Sequence, residues 1–193
     1  THSADGTAFF WDVTDPTNMK KIDSIKVDAR TVNDVKVSQD GTIAIISREG
    51  ASNRKNGIFI LDVTNPYDVK VLSEYTKNLN GGVHNLFIDN NHAYVLGTGE
   101  RYYILNIEDP TNPVEVGMFE VGKEGQNIHD VWIEDGIAYS SNWRDGLYLV
   151  DVGNGIAGGS PSNPVPFSNY TYASGANHAA FPFKSKSTGC LLY

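Results

Sequence analysis

Three side chains able to carry a proton or bind a metal, His84, His129 and His178, stand at matching places along the chain, and Asn33 holds the same place in the first unit. Each is second in a short strand-like run: Val32-Asn33-Asp34-Val35, Val83-His84-Asn85-Leu86, Ile128-His129-Asp130-Val131 and the degenerate Asn177-His178-Ala179-Ala180. If these runs are the innermost strands of units fanned about one axis, His84, His129 and His178 form part of a ring around it. Neutral imidazole is the commonest metal ligand, so such a ring could hold a divalent ion such as Zn, Cu or Fe. One imidazole could also serve as a general base. The simpler reading is structural. Strand faces alternate, which puts His84 with Leu86 and His129 with Val131, turned toward a neighbouring unit. A repeated hydrogen bond from imidazole to backbone then explains the recurrence without a metal.

The next position holds Asp34, Asn85 and Asp130, on the opposite face. Such side chains near loops accept hydrogen bonds from turns. A calcium ion needs about six to eight oxygen ligands; no loop here offers that density, so calcium is the lesser metal option. Arginines fall in the successive loops ahead of each third strand: Arg48 and Arg54, then Arg101, then Arg144. Guanidinium forks suit carboxylates and phosphates. Arg48, Arg101 and Arg144, with Trp143, Tyr102 and Tyr103 for stacking and Asp130 nearby, could therefore receive an anionic small molecule, a uronic-acid sugar or an acidic peptide. Glu49, Glu100 and Asp145 lie beside these arginines, and local ion pairs are the competing explanation. Phe9, Trp11, Tyr94 and Tyr148 read as packing. No Gly-x-Ser-x-Gly elbow and no Gly-rich phosphate cradle is present, and no catalytic residue is assigned. Asn169-Tyr170-Thr171 fits the glycosylation acceptor pattern.

The elements that position these residues are legible from a segment present four times. It reads Phe10-Trp11-Asp12-Val13-Thr14-Asp15-Pro16, Ile60-Leu61-Asp62-Val63-Thr64-Asn65-Pro66, Ile104-Leu105-Asn106-Ile107-Glu108-Asp109-Pro110 and Leu149-Val150-Asp151-Val152. A period of roughly 40–50 residues with several short strands per unit marks propeller blades. Each unit supplies four strands bounded by turn formers: the run carrying the histidine, a second strand (Thr42–Ser47, His92–Leu96, Ile137–Ser141, Cys190–Tyr193), the repeated segment, and a fourth near Lys21–Ile25, Val69–Tyr75, Val114–Phe119 and Pro166–Tyr172. The expected class is all-β, a β-propeller of about four blades' worth of four-stranded antiparallel sheets. A half blade spans 1–30, full blades span 31–80, 81–125 and 126–174, and a second half spans 175–193. The halves could pair into a closed ring of about four blades. The expectation is instead an arc of a larger ring, since the chain starts inside a repeat without Met and stops in mid-strand. Gly153 to Pro166 is the one clear insertion.

With 15 Lys and Arg against 23 Asp and Glu, the formal charge of −8 argues against a general nucleic-acid binder. No stretch approaches the ~20 apolar residues of a spanning helix. The single cysteine, Cys190, precludes an intrachain disulfide and reads as a small buried residue.

The phrase Leu149-Val150-Asp151-Val152, its relatives ending Asp-Pro or Asn-Pro, the Pro-Val-x-Val at Pro113 to Val116 and the His129-Asp130-Val131 step resemble LVIVD-repeat proteins. The resemblance covers nearly the whole chain. It implies a propeller exported by bacteria or related organisms, extracellular, periplasmic or at the cell surface, often within a larger protein, and it supplies no catalytic set. Asn106-Ile107 departs from the Asp-Val of the other copies, and the fourth copy lacks its Asp-Pro turn. The functional expectation is a non-catalytic scaffold or binding module without a cofactor, presenting loops to a protein, peptide or carbohydrate partner. A metal-dependent hydrolase or oxidoreductase using His84, His129 and His178 is the alternative.

Overall fold

The computed structural model describes residues 5–97, 99–122 and 127–188, and the backbone of 191–192. Among them the regular elements are all strands, as their β-branched and aromatic runs between turn formers require. A hairpin of β1 (Thr7–Asp12) and β2 (Lys20–Lys26) comes first. Three four-stranded antiparallel sheets follow. The first holds β3 (Val35–Val37), β4 (Ile43–Arg48), β5 (Gly57–Asp62) and β6 (Lys70–Tyr75). The second holds β7 (Val83–Asp89), β8 (His92–Gly97), β9 (Arg101–Asn106) and β10 (Val114–Glu120). The third holds β11 (Asp130–Glu134), β12 (Ile137–Ser141), β13 (Leu147–Asp151) and β14 (Val165–Tyr170). A short hairpin of β15 (Phe183–Lys184) and β16 (Leu191–Leu192) comes last. Every sheet is a meander in which strands pair with their sequence neighbours. Cys190 lies outside the described residues.

Hydrogen bonds explain the repeated segment. Asp12, Asp62 and Asn106 each accept from the backbone amide two residues on, at 3.0, 2.9 and 2.8 Å. Asp15, Asn65 and Asp109 do the same on either side of the proline, to Thr17, Tyr67 and Thr111. Two successive side-chain turns with a residue that lacks an N–H stop the ladder and send the chain back. The returning strand is bulged at one equivalent place in all four pairs, opposite Phe10/Trp11, Ile60/Leu61, Ile104/Leu105 and Leu149/Val150. The fourth copy replaces the proline turn with an insertion wound around one carboxylate. Buried Asp151 accepts from the amides of Gly153, Gly155, Ala157 and Gly159 at 2.7–3.1 Å. Burial alone would raise its pKa; the four amides outweigh that and hold the carboxyl well below the usual range.

The core lies between sheets. Ala44, Ile46 and Leu61 pack with Ala8, Val27 and Phe10 of the first hairpin, whereas Ile45, Ile58 and Ile60 turn the other way onto Leu86, Val95 and Leu105 of the second sheet. Tyr94, Leu96, Tyr102 and Ile104 then meet Val131, Ile133, Ala138 and Val150 of the third. Both faces of a sheet are thus covered by its neighbours, and each fully buried Leu or Ile stabilises the stack by about 1.5–3 kcal/mol. Polar bonds stitch the same interfaces. Asp23 accepts from the Val69 amide at 2.7 Å, Asp34 from the Leu86 amide at 3.0 Å, and the Ser73 hydroxyl donates to the Pro110 carbonyl at 2.6 Å.

Two first strands differ from expectation. β3 is confined to Val35–Val37 because the Ser47 hydroxyl accepts from both the Asn33 and Asp34 amides, at 2.9 and 2.8 Å, and so replaces ladder bonds there. The run Asn177 to Phe181 is not a strand in β15. Asn177 bridges back to Trp143 instead, and the Ala179-Ala180 pair brings little strand preference of its own.

Candidate functional site

The histidine-bearing positions do come together, at the end of the sheets where β3, β7 and β11 begin. Asn33 is in hydrogen-bond contact with His84 through its side-chain nitrogen and the imidazole Nδ1. The rings of His84 and His129 meet edge to face with centres 5.0 Å apart. His129 and His178 lie 4.0 Å apart and tilted by 44°. Trp143 stacks on His129 at 4.4 Å, 23° from parallel, and reaches His178 at 5.7 Å.

Local backbone features place these rings. Val83 pairs with Gly97 and Leu86 with Val95, so His84 and Asn85 together oppose one residue in a bulge. The bulge breaks the strand alternation: His84 is exposed while Leu86 is buried. This corrects the expectation that the two share a face. His129 sits just ahead of β11, its amide donating to the Ser141 carbonyl at 2.7 Å. Trp143 adopts φ 48°, a left-handed conformation that a bulky residue rarely takes. The turn is held by the Asp145 amide on the Asn142 carbonyl at 2.8 Å and the Asn177 amide on the Trp143 carbonyl at 2.7 Å. Gly146 ends the turn at φ 86°, where a Cβ would lie 2.0 Å from the Tyr170 carbonyl oxygen, as it would at the matching Gly57 against Tyr75. Only glycine fits there.

The electrostatics divide the cluster. His129 Nδ1 lies 3.0 Å from the His178 carbonyl; a carbonyl only accepts, so Nδ1 carries the proton and Nε2 keeps its lone pair. Burial holds this imidazole below its ordinary pKa, the carbonyl opposes the shift, and the imidazoles of His178 and His84 add to it. His84 instead faces Glu49, 3.6 Å away. Asp130 is half-buried, accepts from the Val131 amide at 2.9 Å, and is pushed up chiefly by burial, with the nearby charges of Lys36, Asp34 and His178 acting on it. Among the described residues no group of three or more His, Cys, Asp or Glu side chains is placed to hold a metal ion.

The arginines have separate fates. Arg48 is only 2% exposed; it donates to the Asp28 carbonyl at 2.7 Å, pairs with Glu74 and Asp28, and lies over the Phe59 ring. Arg101 pairs with Glu120 across the β9–β10 ladder at 2.9 Å. Arg48 draws its partners from β6 and from the segment after β2, not from its sequence neighbour Glu49, and Arg101 draws its partner from the adjacent β10. Arg144 is exposed beside Trp143 and makes no ion pair among the described residues. Tyr102 is buried in the core. The structure thus gathers His84, His129, His178 and Trp143 at one end, with exposed Arg144 next to Trp143 in sequence, while Arg48 is buried in its ion pairs and Arg101 is half-exposed in one.

Two residues at the site were not singled out from sequence. Ser141 Oγ and Asn177 Oδ1 are buried without a hydrogen-bond partner among the described residues, and both residues are bonded through their backbones to His129 or Trp143. The corresponding hydroxyl of Ser47 is satisfied by two amides, so the signal was a serine at matching positions of β4 and β12. Separately, a cleft of about 520 Å³ lies at the other end of the sheets, lined by Ser38, Asp40, Asn90, Asn91, Glu108 and Pro110. It holds no histidine, arginine or aromatic side chain. No family model matches this sequence, and no curated protein matches it either.

Proposed function

We propose that this chain is a β-propeller region, about four blades' worth, acting as a non-catalytic binding module outside the cytoplasm. The end bearing Trp143, His84, His129, His178 and Arg144 faces a protein, peptide or polysaccharide partner. The propeller reading is supported by sheets that cover one another face to face and by first strands that meet through Asp34 and Leu86. It is supported too by the resemblance to LVIVD-repeat proteins. The binding reading rests on Trp143: a 38% exposed indole held in a strained left-handed turn, with exposed Arg144 next in sequence. Strain of this kind, about 1–3 kcal/mol, persists where surrounding structure fixes it for use, and tryptophan and arginine dominate binding hot spots.

The test presents the protein with immobilised oligogalacturonate, neutral glucans and polyglutamate. Wild type is expected to retain on at least one surface, with Trp143→Ala lowering affinity about tenfold or more. Equal retention by the variant would remove Trp143 from the account.

One observation favours a second reading, a metal-dependent hydrolase or oxidoreductase. His129 donates Nδ1–H to a backbone carbonyl and keeps Nε2 free, as metal-ligating histidines commonly do. His84 and His129, however, meet edge to face and His129 and His178 are tilted, and among the described residues no three such side chains are placed to hold an ion. Metal analysis of wild type, His84→Ala and His129→Ala separates the readings, since only the enzyme reading requires stoichiometric metal that the variants lose.

A further inference from the structure

We infer that Asn80 is a site of spontaneous deamidation in the folded protein, and that the fold shields the other two Asn-Gly steps. The three steps are Asn56-Gly57, Asn80-Gly81 and Asn154-Gly155. In each, the glycine amide nitrogen can lose its proton and attack the asparagine Cγ. The side-chain nitrogen leaves as ammonia, and water then opens the cyclic imide to aspartate or isoaspartate. No other reactant is needed. The glycine leaves the attacking nitrogen uncrowded, so all three share the same intrinsic chemistry and the fold sets the order among them.

At Asn56 both ends of the amide are held. Oδ1 accepts from the Ala51 amide at 3.0 Å and Nδ2 donates to the Asn80 carbonyl at 2.8 Å, in a buried residue. Asn154 is exposed, so exposure alone would make it reactive. There the leaving nitrogen donates to the Asp135 carbonyl at 2.8 Å, and the attacking Gly155 amide is bound to Asp151 at 3.1 Å. Asn80 has neither protection. It and Gly81 are exposed in a turn closed by the Gly82 amide on the Leu79 carbonyl at 3.0 Å. Among the described residues, neither its side-chain amide nor the Gly81 nitrogen has a hydrogen-bond partner.

The product would be felt at the histidine cluster. Isoaspartate carries the main chain through the former side chain and adds a carboxylate. It does so at the residue whose carbonyl holds Asn56 and whose turn leads into Val83 and His84.

The test ages the native protein in mildly alkaline buffer beside a sample unfolded in urea, and maps aspartate and isoaspartate by peptide mass spectrometry. In the native sample Asn80 is expected to convert at least about tenfold faster than Asn56 and Asn154, the scale of two hydrogen bonds that must first open; in urea the gap closes. Asn154 or Asn56 keeping pace with Asn80 in the native sample would overturn the inference, as would Asn80 staying intact there while converting in urea. Gly81→Ala, at an exposed position outside the left-handed region, should suppress loss at Asn80 alone. Undiminished loss would refute the cyclic route.

Discussion

The indole of Trp143 lies flat on the imidazole of His129, ring centres 4.4 Å apart, although its backbone stands at φ 48°. Stacking and strain oppose each other at this residue. An aromatic pair contributes about 0.5–1.5 kcal/mol, and glycine relieves left-handed strain of about 1–3 kcal/mol but gives back about 0.4–1 kcal/mol through its greater freedom when unfolded. Trp143→Gly is therefore expected to unfold in urea within about 1 kcal/mol of wild type. A loss above about 3 kcal/mol would mean that the indole is part of the core.

Asp34 ties the first sheet to the second through the Leu86 amide. Asp34→Ala removes a bond to a charged acceptor and leaves a buried amide unpaired, at a cost of about 1.5–3 kcal/mol. Urea denaturation of this variant against Glu134→Ala, an exposed position on β11, measures the difference. Equal midpoints would show that the sheets do not depend on this bond.

The arginines predict a contrast. Arg48→Leu should destabilise by about 1.5–3 kcal/mol, since a buried guanidinium hydrogen-bonded to Asp28 and Glu74 is lost. Arg101→Leu breaks a half-exposed pair and should cost no more than about 1 kcal/mol. Thermal denaturation reads both, and the reverse order would contradict the assignment of Arg48 to structure.

His129 and Asp130 should give stability opposite dependences on pH. Burial depresses His129, so the folded chain resists that proton more than the unfolded chain does. Its contribution is intact above about pH 6.5 and is lost as pH falls through the folded value. Asp130 is raised by burial, so its contribution is intact below about pH 4 and is lost as pH rises through the folded value. Asp130→Asn should therefore gain about 0.5–2 kcal/mol at neutral pH and nothing near pH 4. A gain of equal size at both pH values would point to a cause other than ionisation.

The sheets were legible because their signals are local. The Asp-Pro and Asn-Pro turns act within a few residues, and alternation in β4, β8 and β12 sends Ile45 one way and Ile46 the other. The gathering of His84, His129 and His178 was legible from matching positions. What stayed hidden depended on contacts distant in sequence. The bulge that exposes His84 is seen only once Val83 is set against Gly97. The burial of Arg48 depends on Asp28 and Glu74, which belong to other strands or loops. The orphaned Ser141 hydroxyl differs from Ser47 only in what lies around it.

The central claim is that ligands meet this protein at Trp143. The chain has three tryptophans, Trp11, Trp132 and Trp143, so the three indole N–H resonances in a proton–nitrogen correlation spectrum report on three separate places. Titration with the oligogalacturonate or polyglutamate that the protein retains should move the Trp143 signal and the His129 ring, and leave Trp11 still. Movement at Trp11, or at Ser38, Asn90 and Glu108 around the cleft at the other end, with Trp143 unmoved, would contradict it.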